Sequence, residues 1–325
     1  MILDHTPPEV LRVGWVDQDE EVLNGPDLSC RLGSVRMENS LIRICIQGMS
    51  SLTQFKRKGG DLVDALRWDT PLVDGISEVI VAPGFGEVNP DVIEIMSEGQ
   101  QGEPAIVQVR GIARGSRILT SYVPSYVPRP TPVITEYHLY PDREELEFHT
   151  WIEVGDRPIS LQVSDFVVWA DPSKLYYSLQ EGNRIPISPA YVGAHLPHIS
   201  YLWSIDGVES LRILTLPNDI PLQPISVGQV EAPAHVTLYV KRTLYIGQGG
   251  ISPLAESRGF IPPEARRVQV RLSAQDAQGL PINAETHSGM SSLLDPSKML
   301  DQVSFEIYAR SEDGGLGVLV AQNRA

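Results

Sequence analysis

The strongest candidate for a metal site is a pair of histidines three residues apart, His195 and His198. Two imidazoles at this spacing can converge on one ion in a turn, although Pro197 opposes a regular helix there. A catalytic zinc site needs three protein ligands and an open position, and no third ligand stands at a fixed spacing from the pair. The available carboxylates are Asp165, Asp171 and Asp206. We therefore expect two loop histidines at the rim of a sheet, no bound metal and no cofactor.

His149 offers a second kind of chemistry, the transfer of protons. Apolar and polar residues alternate over 146–154, so His149 shares one side of a predicted strand with Glu147, Trp151 and Glu153. A general acid or base needs a pKa near the working pH and hydrogen-bond reach of its substrate, which imidazole and carboxylate can provide. This face could form such a site. An ordinary solvated strand face has the same pattern, and we favour that interpretation.

Aromatic residues are concentrated between Phe166 and Trp203, a segment that holds seven of the 22 in the chain. Exposed Tyr and Trp offer flat apolar area with a polar group, which suits sugar rings and protein partners. Core filling between sheets explains the same cluster, and we expect Trp169 and Trp203 to be core residues. The segment 121–130, SYVPSYVPRP, could dock a partner in extended form or serve as a stiff connection. The predicted binding residues are Tyr122, Tyr126, Tyr176, Tyr177 and Tyr191.

Strands, rather than helices, must position these residues. Alternation typical of half-buried strands occurs at Leu41–Gln47, Ala105–Arg110, Val133–Tyr140, Leu146–Val154, Val236–Thr243, Val268–Leu272 and Val303–Ala309. Turn residues separate these runs. The 26 prolines leave little room for long helices, and we predict only three short ones, at 61–68, 253–258 and 293–300. The pattern predicts a mostly-β protein built as an antiparallel sandwich.

Several short motifs resemble known families. The segment 135–148, TEYHLYPDREELEF, followed by 155–158, GDRP, resembles the strand–turn–strand pattern of large β supersandwich domains related to galactose mutarotase. The segments 11–14, 35–44 and 59–65 resemble the N-terminal region of multidomain envelope or secreted bacterial proteins that carry a PHP-type metallohydrolase domain, and 165–169 and 245–249 continue that resemblance. The segment 268–284 resembles the opening of a carboxypeptidase-regulatory-like sandwich.

The glycine-rich segment 247–253 and the Pro262–Pro263 pair indicate a boundary between two units. Together with the resemblance, this predicts a large antiparallel β supersandwich over residues 1–246, a linker at 247–261 and a small Ig-like β-sandwich over 262–325. The metal-binding His-x-His motif of the metallohydrolase domain is absent, so the accessory part is expected without the catalytic part. Mutarotase-like enzymes move a proton at a sugar with histidine and a carboxylate, which makes His149, His195 and His198 the catalytic candidates. The resemblance also implies an extracytoplasmic location, in the periplasm, in the envelope or secreted. The N-terminus shows no signal peptide, so a cytoplasmic location stays open.

Composition limits the partners. The chain has 26 Lys and Arg against 41 Asp and Glu, a net charge of −15, and such a surface repels nucleic-acid phosphates and anionic lipids. No stretch reaches the length of apolar residues needed to span a membrane. The two cysteines, Cys30 and Cys45, could form one disulfide or stay as two buried thiols.

We therefore expect a non-catalytic structural or binding module of a larger assembly, either in the cell envelope or in a multisubunit complex. Other protein subunits are the expected partners, and no nucleic acid is expected. The alternative function is a carbohydrate-binding module or a carbohydrate-active enzyme of the mutarotase or lyase type.

Overall fold

The computed structural model of the chain describes residues 7–18, 30–49, 59–70, 75–115, 129–169, 175–177, 191–196, 199–207, 212–213, 222–248, 254–255, 257–260, 265–272, 292–293, 303–310 and 321–322. The strands in chain order are β1 (Arg12–Trp15), β2 (Val35–Glu38), β3 (Ile42–Ile46), β4 (Leu62–Arg67), β5 (Ile76–Val81), β6 (Gly86–Glu98), β7 (Ala105–Gly115), β8 (Thr131–Leu139), β9 (Glu145–Glu153), β10 (Ile159–Trp169), β11 (Leu175–Tyr177), β12 (Val192–Leu196), β13 (Ile199–Ile205), β14 (Arg212–Ile213), β15 (Leu222–Ala232), β16 (Thr237–Gln248), β17 (Ala265–Leu272), β18 (Ser292–Leu293), β19 (Val303–Arg310) and β20 (Ala321–Gln322).

Two large antiparallel sheets form the body of the protein. The first sheet has eight strands in the order β1-β2-β3-β4-β5-β10-β15-β14, and the second has eight in the order β11-β12-β13-β16-β9-β8-β7-β6. Antiparallel sheets suit the alternation in the sequence, because one face of each strand can pack while the other meets water. The predicted mostly-β class, with a large antiparallel sandwich, is confirmed.

Near the C-terminal end, β17 pairs antiparallel with β19, and β18 pairs parallel with β20. The strands predicted at Val268–Leu272 and Val303–Ala309 lie inside β17 and β19 and are confirmed. The division into domains at 1–246, 247–261 and 262–325 stays a prediction, as does the Ig-like, carboxypeptidase-regulatory-like character of the last one. Of the predicted helix 253–258, Leu254, Ala255 and Ser257 are helical.

The helix predicted over 61–68 is wrong, because this segment contains strand β4, Leu62–Arg67. All six residues of β4 are buried, since the strand lies inside the first sheet beside β3 and β5. A strand buried on both faces need not show polar–apolar alternation. In β4 the apolar residues Leu62, Val63, Ala65 and Leu66 have the i, i+3 and i+4 spacing of a helix face, so periodicity alone favours a helix here. The helix predicted over 293–300 also differs, in that Leu293 lies in β18.

The main core fills the space between the two sheets. Ile42, Ile44 and Ile46 contribute from β3, as the predicted alternation requires, and residues of β8, β9, β13 and β16 contribute from the second sheet. The predicted core residues Trp169 and Trp203 are confirmed at 1% and 0% exposure.

The two sheets differ in how they meet water. In β10 of the first sheet, Val167 and Trp169 point into the main core, so Phe166 and Val168 point to the opposite face. Both are nevertheless buried, and Phe166 packs there against Phe85 with ring centroids 6.1 Å apart. At these strands the first sheet is covered on both faces, which leaves the outward face of the second sheet as a place to display side chains.

Cys30 and Cys45 form a disulfide bond across 15 residues of sequence. This settles a pairing that the sequence leaves open. Both cysteines are buried in a small cluster with Val16, Val63 and Leu66 on the first sheet. The backbone N–H of Cys30 donates to Asp64 Oδ2 at 2.5 Å, which gives that buried carboxylate a partner.

Asn39 ties the first sheet to the turn between β8 and β9. Its Nδ2 donates to the carbonyl oxygens of Tyr140 at 2.7 Å and Arg143 at 2.9 Å. Its Oδ1 accepts from the backbone N–H groups of Leu41 and Ile42, both at 2.8 Å. One buried amide therefore holds the turn at one end of the second sheet against the β2–β3 connection.

A fully buried ion pair joins the two sheets. Arg242 on β16 donates from Nε to Oδ2 of Asp165 on β10 at 2.8 Å, and both side chains are 0% exposed. Burial raises the pKa of Asp165, and attraction to the Arg242 guanidinium opposes that rise. Each charge is tolerated in the core only while the other is present.

Among the described residues, no helix is long and apolar enough to cross a membrane.

Replacing Arg242 by Met should destabilise the protein by about 3–5 kcal/mol, because the Asp165 carboxylate would stay buried without its cation. The double variant Arg242→Met/Asp165→Leu should recover most of that loss, since apolar side chains of similar volume suit the core. Urea denaturation measures the free energy of unfolding.

The matched control is Arg110→Met, which breaks an ion pair with Glu94 whose side chains are 46% and 48% exposed. This change should cost less than about 1 kcal/mol. A double variant no more stable than Arg242→Met alone would contradict the assignment.

Candidate functional site

A cluster of polar and aromatic side chains lies on the outward face of the second sheet, on the neighbouring strands β8, β9 and β16. These strands pair antiparallel in a continuous register. We call this cluster the outer patch. Its members are Glu136, His138, Glu147, His149, Trp151, Tyr239 and Lys241.

Core packing decides which residues of these strands face outward. Phe148 and Leu146 of β9 point into the main core, so Glu147, His149 and Trp151 point away from it. This agrees with the alternation over 146–154. The face predicted from the sequence to carry His149 and Trp151 therefore exists.

Strand pairing then adds residues from the two neighbouring strands. Glu136 on β8 and Lys241 on β16 lie directly opposite His149, one on each side. In the adjoining rows, His138 lies opposite Glu147 and Tyr239 lies opposite Trp151. Opposite residues on one face are within contact distance, so the patch is one connected surface.

Glu147 is the most hydrogen-bonded group of the outer patch, and its side chain is only 7% exposed. Lys241 Nζ donates to its Oε1 at 2.9 Å, and Nε2 of His149 lies 3.0 Å from its Oε2. The Tyr140 hydroxyl donates to the same Oε2 at 3.4 Å. Burial opposes ionisation, but the hydrogen bonds from His149 and Lys241 lower the pKa of Glu147 to about 2. The carboxylate is therefore ionised at neutral pH.

Both ring nitrogens of His149 are engaged. Because an ionised carboxylate only accepts hydrogen bonds, Nε2 of His149 carries the proton and donates to Glu147. Nδ1 lies 2.7 Å from the Tyr239 hydroxyl, so in the neutral ring that hydroxyl donates to it. Burial raises the pKa of Tyr239, which keeps the hydroxyl protonated and able to donate.

His138 stacks beside His149, with ring centroids 4.2 Å apart and planes 31° apart. Its Nε2 lies 2.9 Å from Glu136 Oε2. Gln108 Nε2 donates to the other oxygen of Glu136 at 2.8 Å. Burial lowers the pKa of His138, and the hydrogen bond to Glu136 opposes this. The His138 ring is therefore neutral at pH 7.

Trp151 and Tyr239 form the aromatic part of the outer patch. Their ring centroids lie 5.5 Å apart with 43° between the planes, and Tyr239 is 51% exposed. The His149 ring continues this surface, 6.3 Å from the Trp151 ring and 25° from its plane. Exposed aromatic faces with hydrogen-bonding groups beside them are suited to ligands that combine apolar faces with hydroxyls.

This arrangement favours binding over proton transfer. A general base works best with a pKa near the working pH, whereas the pKa of Glu147 is about 2. Its partner His149 uses both nitrogens within the protein. The polar groups are thus held in fixed positions and are poorly placed to exchange protons with a substrate.

The other candidate residues predicted from the sequence lie elsewhere or outside the described residues. His195 lies in β12 opposite Ser200, and Tyr176 and Tyr177 lie in β11 at the edge of the second sheet. Tyr191 is 8% exposed and packs against Phe260, with ring centroids 5.2 Å apart. Tyr122, Tyr126 and His198 lie outside the described residues. His195 is thus a strand residue and not the predicted loop residue. The catalytic roles considered for His195 and His198, and the binding roles of the five tyrosines, stay predictions.

Potential metal ligands meet at one place in the described part of the chain, where Cys30, Cys45 and Asp64 come together. The two sulfurs are joined to each other, and a metal needs the free thiolates as ligands. The Asp64 carboxylate accepts a backbone hydrogen bond from Cys30. This group is therefore a structural disulfide site.

A separate cleft of about 750 Å³ opens beside the edge strand β1. Its lining comes from β1, from β2 and from the turn between β6 and β7. Trp15, which is 44% exposed, lies in its wall with Arg12 and Glu98. The lining contains no histidine and no member of the outer patch.

Sequence reasoning missed Tyr239 and Lys241. The strand Val236–Thr243 is predicted correctly, and alternation along it puts these two residues on one face. Nothing in the sequence shows that β16 pairs with β9, because the pairing joins residues such as His149 and Tyr239 that are 90 positions apart. Long-range strand order is thus the missing information.

No protein-family model and no curated protein matches the chain. Solved structures with a similar fold include the Slr1438 protein from Synechocystis sp. PCC 6803, at 9% identity and a TM-score of 0.40, covering 69% of this chain and 99% of that one. A galactose mutarotase-like protein from Lactobacillus casei has 11% identity and a TM-score of 0.39, covering 66% and 100%. Galactose 1-epimerase from Lactobacillus acidophilus has 8% identity and a TM-score of 0.36, covering 74% and 100%. Likeness at this level does not say what the present chain binds.

Acidification should destabilise the protein through His138. The pKa of His138 in the folded state is lowered from 6.5, so the unfolded chain binds this proton first. The stability that the neutral ring contributes is present above about pH 6.5 and is lost as the pH falls through the lower folded pKa. An NMR titration of the imidazole should give a midpoint below 6.5, and Glu136→Gln should move it lower still.

The control is His138→Gln, which should remove part of the fall in unfolding free energy between about pH 7 and pH 5. A His138 midpoint at or above 6.5 in the folded protein would contradict this account of its burial.

Proposed function

We propose that this chain is a non-catalytic binding module that binds carbohydrate at the outer patch. The observation that carries the proposal is the pair of the half-buried Trp151 and the exposed Tyr239, held beside a fixed set of hydrogen-bonding groups. Sugar rings have apolar faces that stack on aromatic rings, and hydroxyls that both donate and accept hydrogen bonds. Trp151 and Tyr239 supply the first kind of contact, and Glu136 and Lys241 supply the second.

The rigidity of the patch supports binding. Glu147 is held by His149 and Lys241, and His149 is held by Tyr239 as well. Groups fixed before the ligand arrives lose little conformational entropy when it binds. The same contacts reduce their value as acids and bases, which is why a module without turnover is preferred over an enzyme.

The module is proposed to work as part of a larger assembly with other protein subunits, in the cell envelope or in a multisubunit complex. The sequence resemblance to the accessory part of multidomain bacterial proteins supports this. We also propose that the chain is related to the bacterial proteins that carry a metallohydrolase domain, and that its C-terminal part is related to carboxypeptidase-regulatory-like domains.

An extracytoplasmic location is also proposed. The Cys30–Cys45 disulfide supports it, because disulfides persist in the periplasm, at cell surfaces and in secreted proteins, whereas thiols in the cytoplasm of mesophiles stay mostly reduced.

Replacing Trp151 by Ala should lower the affinity for a bound glycan at least about tenfold, because aromatic anchors at the centre of a binding site commonly contribute more than about 1.4 kcal/mol. A glycan array identifies the ligand and calorimetry measures its affinity. The matched control is Trp15→Ala, which removes an exposed tryptophan from the cleft beside β1 and should leave the affinity unchanged.

An array on which the protein binds no glycan would overturn the proposal. A carbohydrate-active enzyme of the mutarotase or lyase type is the second candidate, because the patch holds a histidine and a carboxylate, the residue types that the resemblance to mutarotase-like enzymes implies. Polarimetry on fresh aldose solutions and absorbance assays for lyase products test this candidate directly. If turnover is observed and His149→Ala abolishes it, the protein is an enzyme and not a binding module.

The proposed location predicts that the protein in its native source carries no free thiol. Alkylation of the intact protein without reduction, followed by mass spectrometry, should add no label to Cys30 or Cys45, and the protein should fractionate outside the cytoplasm. Two alkylated cysteines in protein from the cytoplasmic fraction would contradict the proposed compartment.

A further inference from the structure

The rings of the outer patch are contiguous but not coplanar. Successive pairs from His138 to His149, Trp151 and Tyr239 have centroids 4.2, 6.3 and 5.5 Å apart. The angles between their planes are 31°, 25° and 43° in the same order. Since His149 and Trp151 lie on the same strand, β9, these angles reflect side-chain orientation as well as the rotation between neighbouring strands, and the four rings share no common plane.

A twisted row of rings does not match a flat surface. A crystalline polysaccharide presents many chains in one plane. Several aromatic rings can stack on that surface together only if the rings lie in a common plane. With 43° between Trp151 and Tyr239, one of the two rings can lie flat on such a surface and the other cannot. A single glycan chain in solution can rotate about its glycosidic bonds, so that successive sugar rings meet successive aromatic rings.

The length of the patch is that of a short oligosaccharide. From Glu147 to Trp151 along β9 the strand rises roughly 13 Å, and Tyr239 extends the surface sideways onto β16. The ligand is therefore expected to contact the protein over a few sugar rings.

Charge selects among soluble glycans. Three carboxylates, those of Glu136, Glu147 and Asp206, lie in or beside the patch. Two cations face them: Lys241, 2.9 Å from Glu147 and 3.5 Å from Asp206, and Arg143, 3.6 Å from Glu147. Carboxylates therefore outnumber these cations by one. The chain as a whole carries a net charge of −15. Acidic sugars would be repelled, whereas uncharged hydroxyls can pair with both the carboxylates and the ammonium group.

We propose that the outer patch binds a single, soluble, electrically neutral glycan chain, and that it does not bind crystalline polysaccharide surfaces or acidic glycans. This inference rests on the proposed carbohydrate-binding function and adds the class of ligand. Trp151 and Tyr239 stack on neighbouring sugar rings, and Glu136 and Lys241 pair with hydroxyls between them.

The test compares three ligand classes with the full chain. Neutral soluble polysaccharides (mixed-linkage glucan, xylan, mannan and galactan) and acidic ones (alginate and polygalacturonate) are cast in native gels, where binding retards the protein. Microcrystalline cellulose and chitin are used in sedimentation assays. We expect retardation by at least one neutral soluble glycan, little change between low and high salt, and no sedimentation with the crystalline solids.

Variants connect the result to the patch. Trp151→Ala and Tyr239→Ala should each weaken binding about tenfold or more. Tyr239→Phe keeps the ring but loses the hydrogen bond to His149, and it should weaken binding less than Tyr239→Ala does. Trp15→Ala is the control and should bind normally. Circular dichroism of each variant checks that it is folded.

The outcomes separate the ligand class from the function. Two results would overturn the ligand class, provided that Trp151→Ala abolishes the binding observed. These are sedimentation with a crystalline solid, and retardation by an acidic glycan that high salt abolishes. Either result would leave the carbohydrate-binding function in place. Binding to none of the three classes would overturn both. Binding to a neutral soluble glycan that Trp151→Ala and Tyr239→Ala leave intact would place the site elsewhere and overturn the inference.

Discussion

The register between β9 and β16 is the constraint on which the outer patch depends. In a sheet the side-chain period is two, so a slip of one residue would turn every side chain of a strand to the other face. Leu146 lies opposite Leu244 in this pairing, and both are completely buried in the main core. Moving either out of the core would expose large apolar area to water. The packing between the sheets thereby holds His149 opposite Lys241 on the outward face.

Glu147 is the ionised carboxylate around which the charged and hydrogen-bonding groups of the patch are arranged. Three cationic or hydrogen-donating neighbours compensate for the burial of its carboxylate, and the result is an ionised group that no longer exchanges protons near neutral pH. The nearby Arg143 guanidinium, 3.6 Å from Glu147 and 4.0 Å above the Tyr140 ring, closes the patch toward the β8–β9 turn. Because Asn39 holds the backbone of that same turn, the polar end of the patch is anchored to the first sheet.

The sequence predicts the fold class and one strand of the candidate site. Alternation over 146–154 correctly places Phe148 inside and His149 with Trp151 outside, because β9 has one buried and one outward face. It fails for β4, whose two faces are both buried and whose apolar residues have the spacing of a helix face. It also cannot find Tyr239, since strand order depends on contacts between distant segments. The prediction that core filling explains the aromatic-rich segment 166–203 is confirmed at Trp169 and Trp203. Trp151 lies outside that segment, and only the alternation over 146–154 places it on the outward face.

The unequal covering of the two sheets has a consequence for how the protein can be arranged with others. Over 163–169 of β10 the first sheet has no solvated face, since Phe166 and Val168 are buried on the side opposite the main core. The outer patch of the second sheet, in contrast, includes the exposed Tyr239. If several copies were mounted on a common support, attachment through the side behind this part of the first sheet would leave the outer patch of every copy facing away from the support.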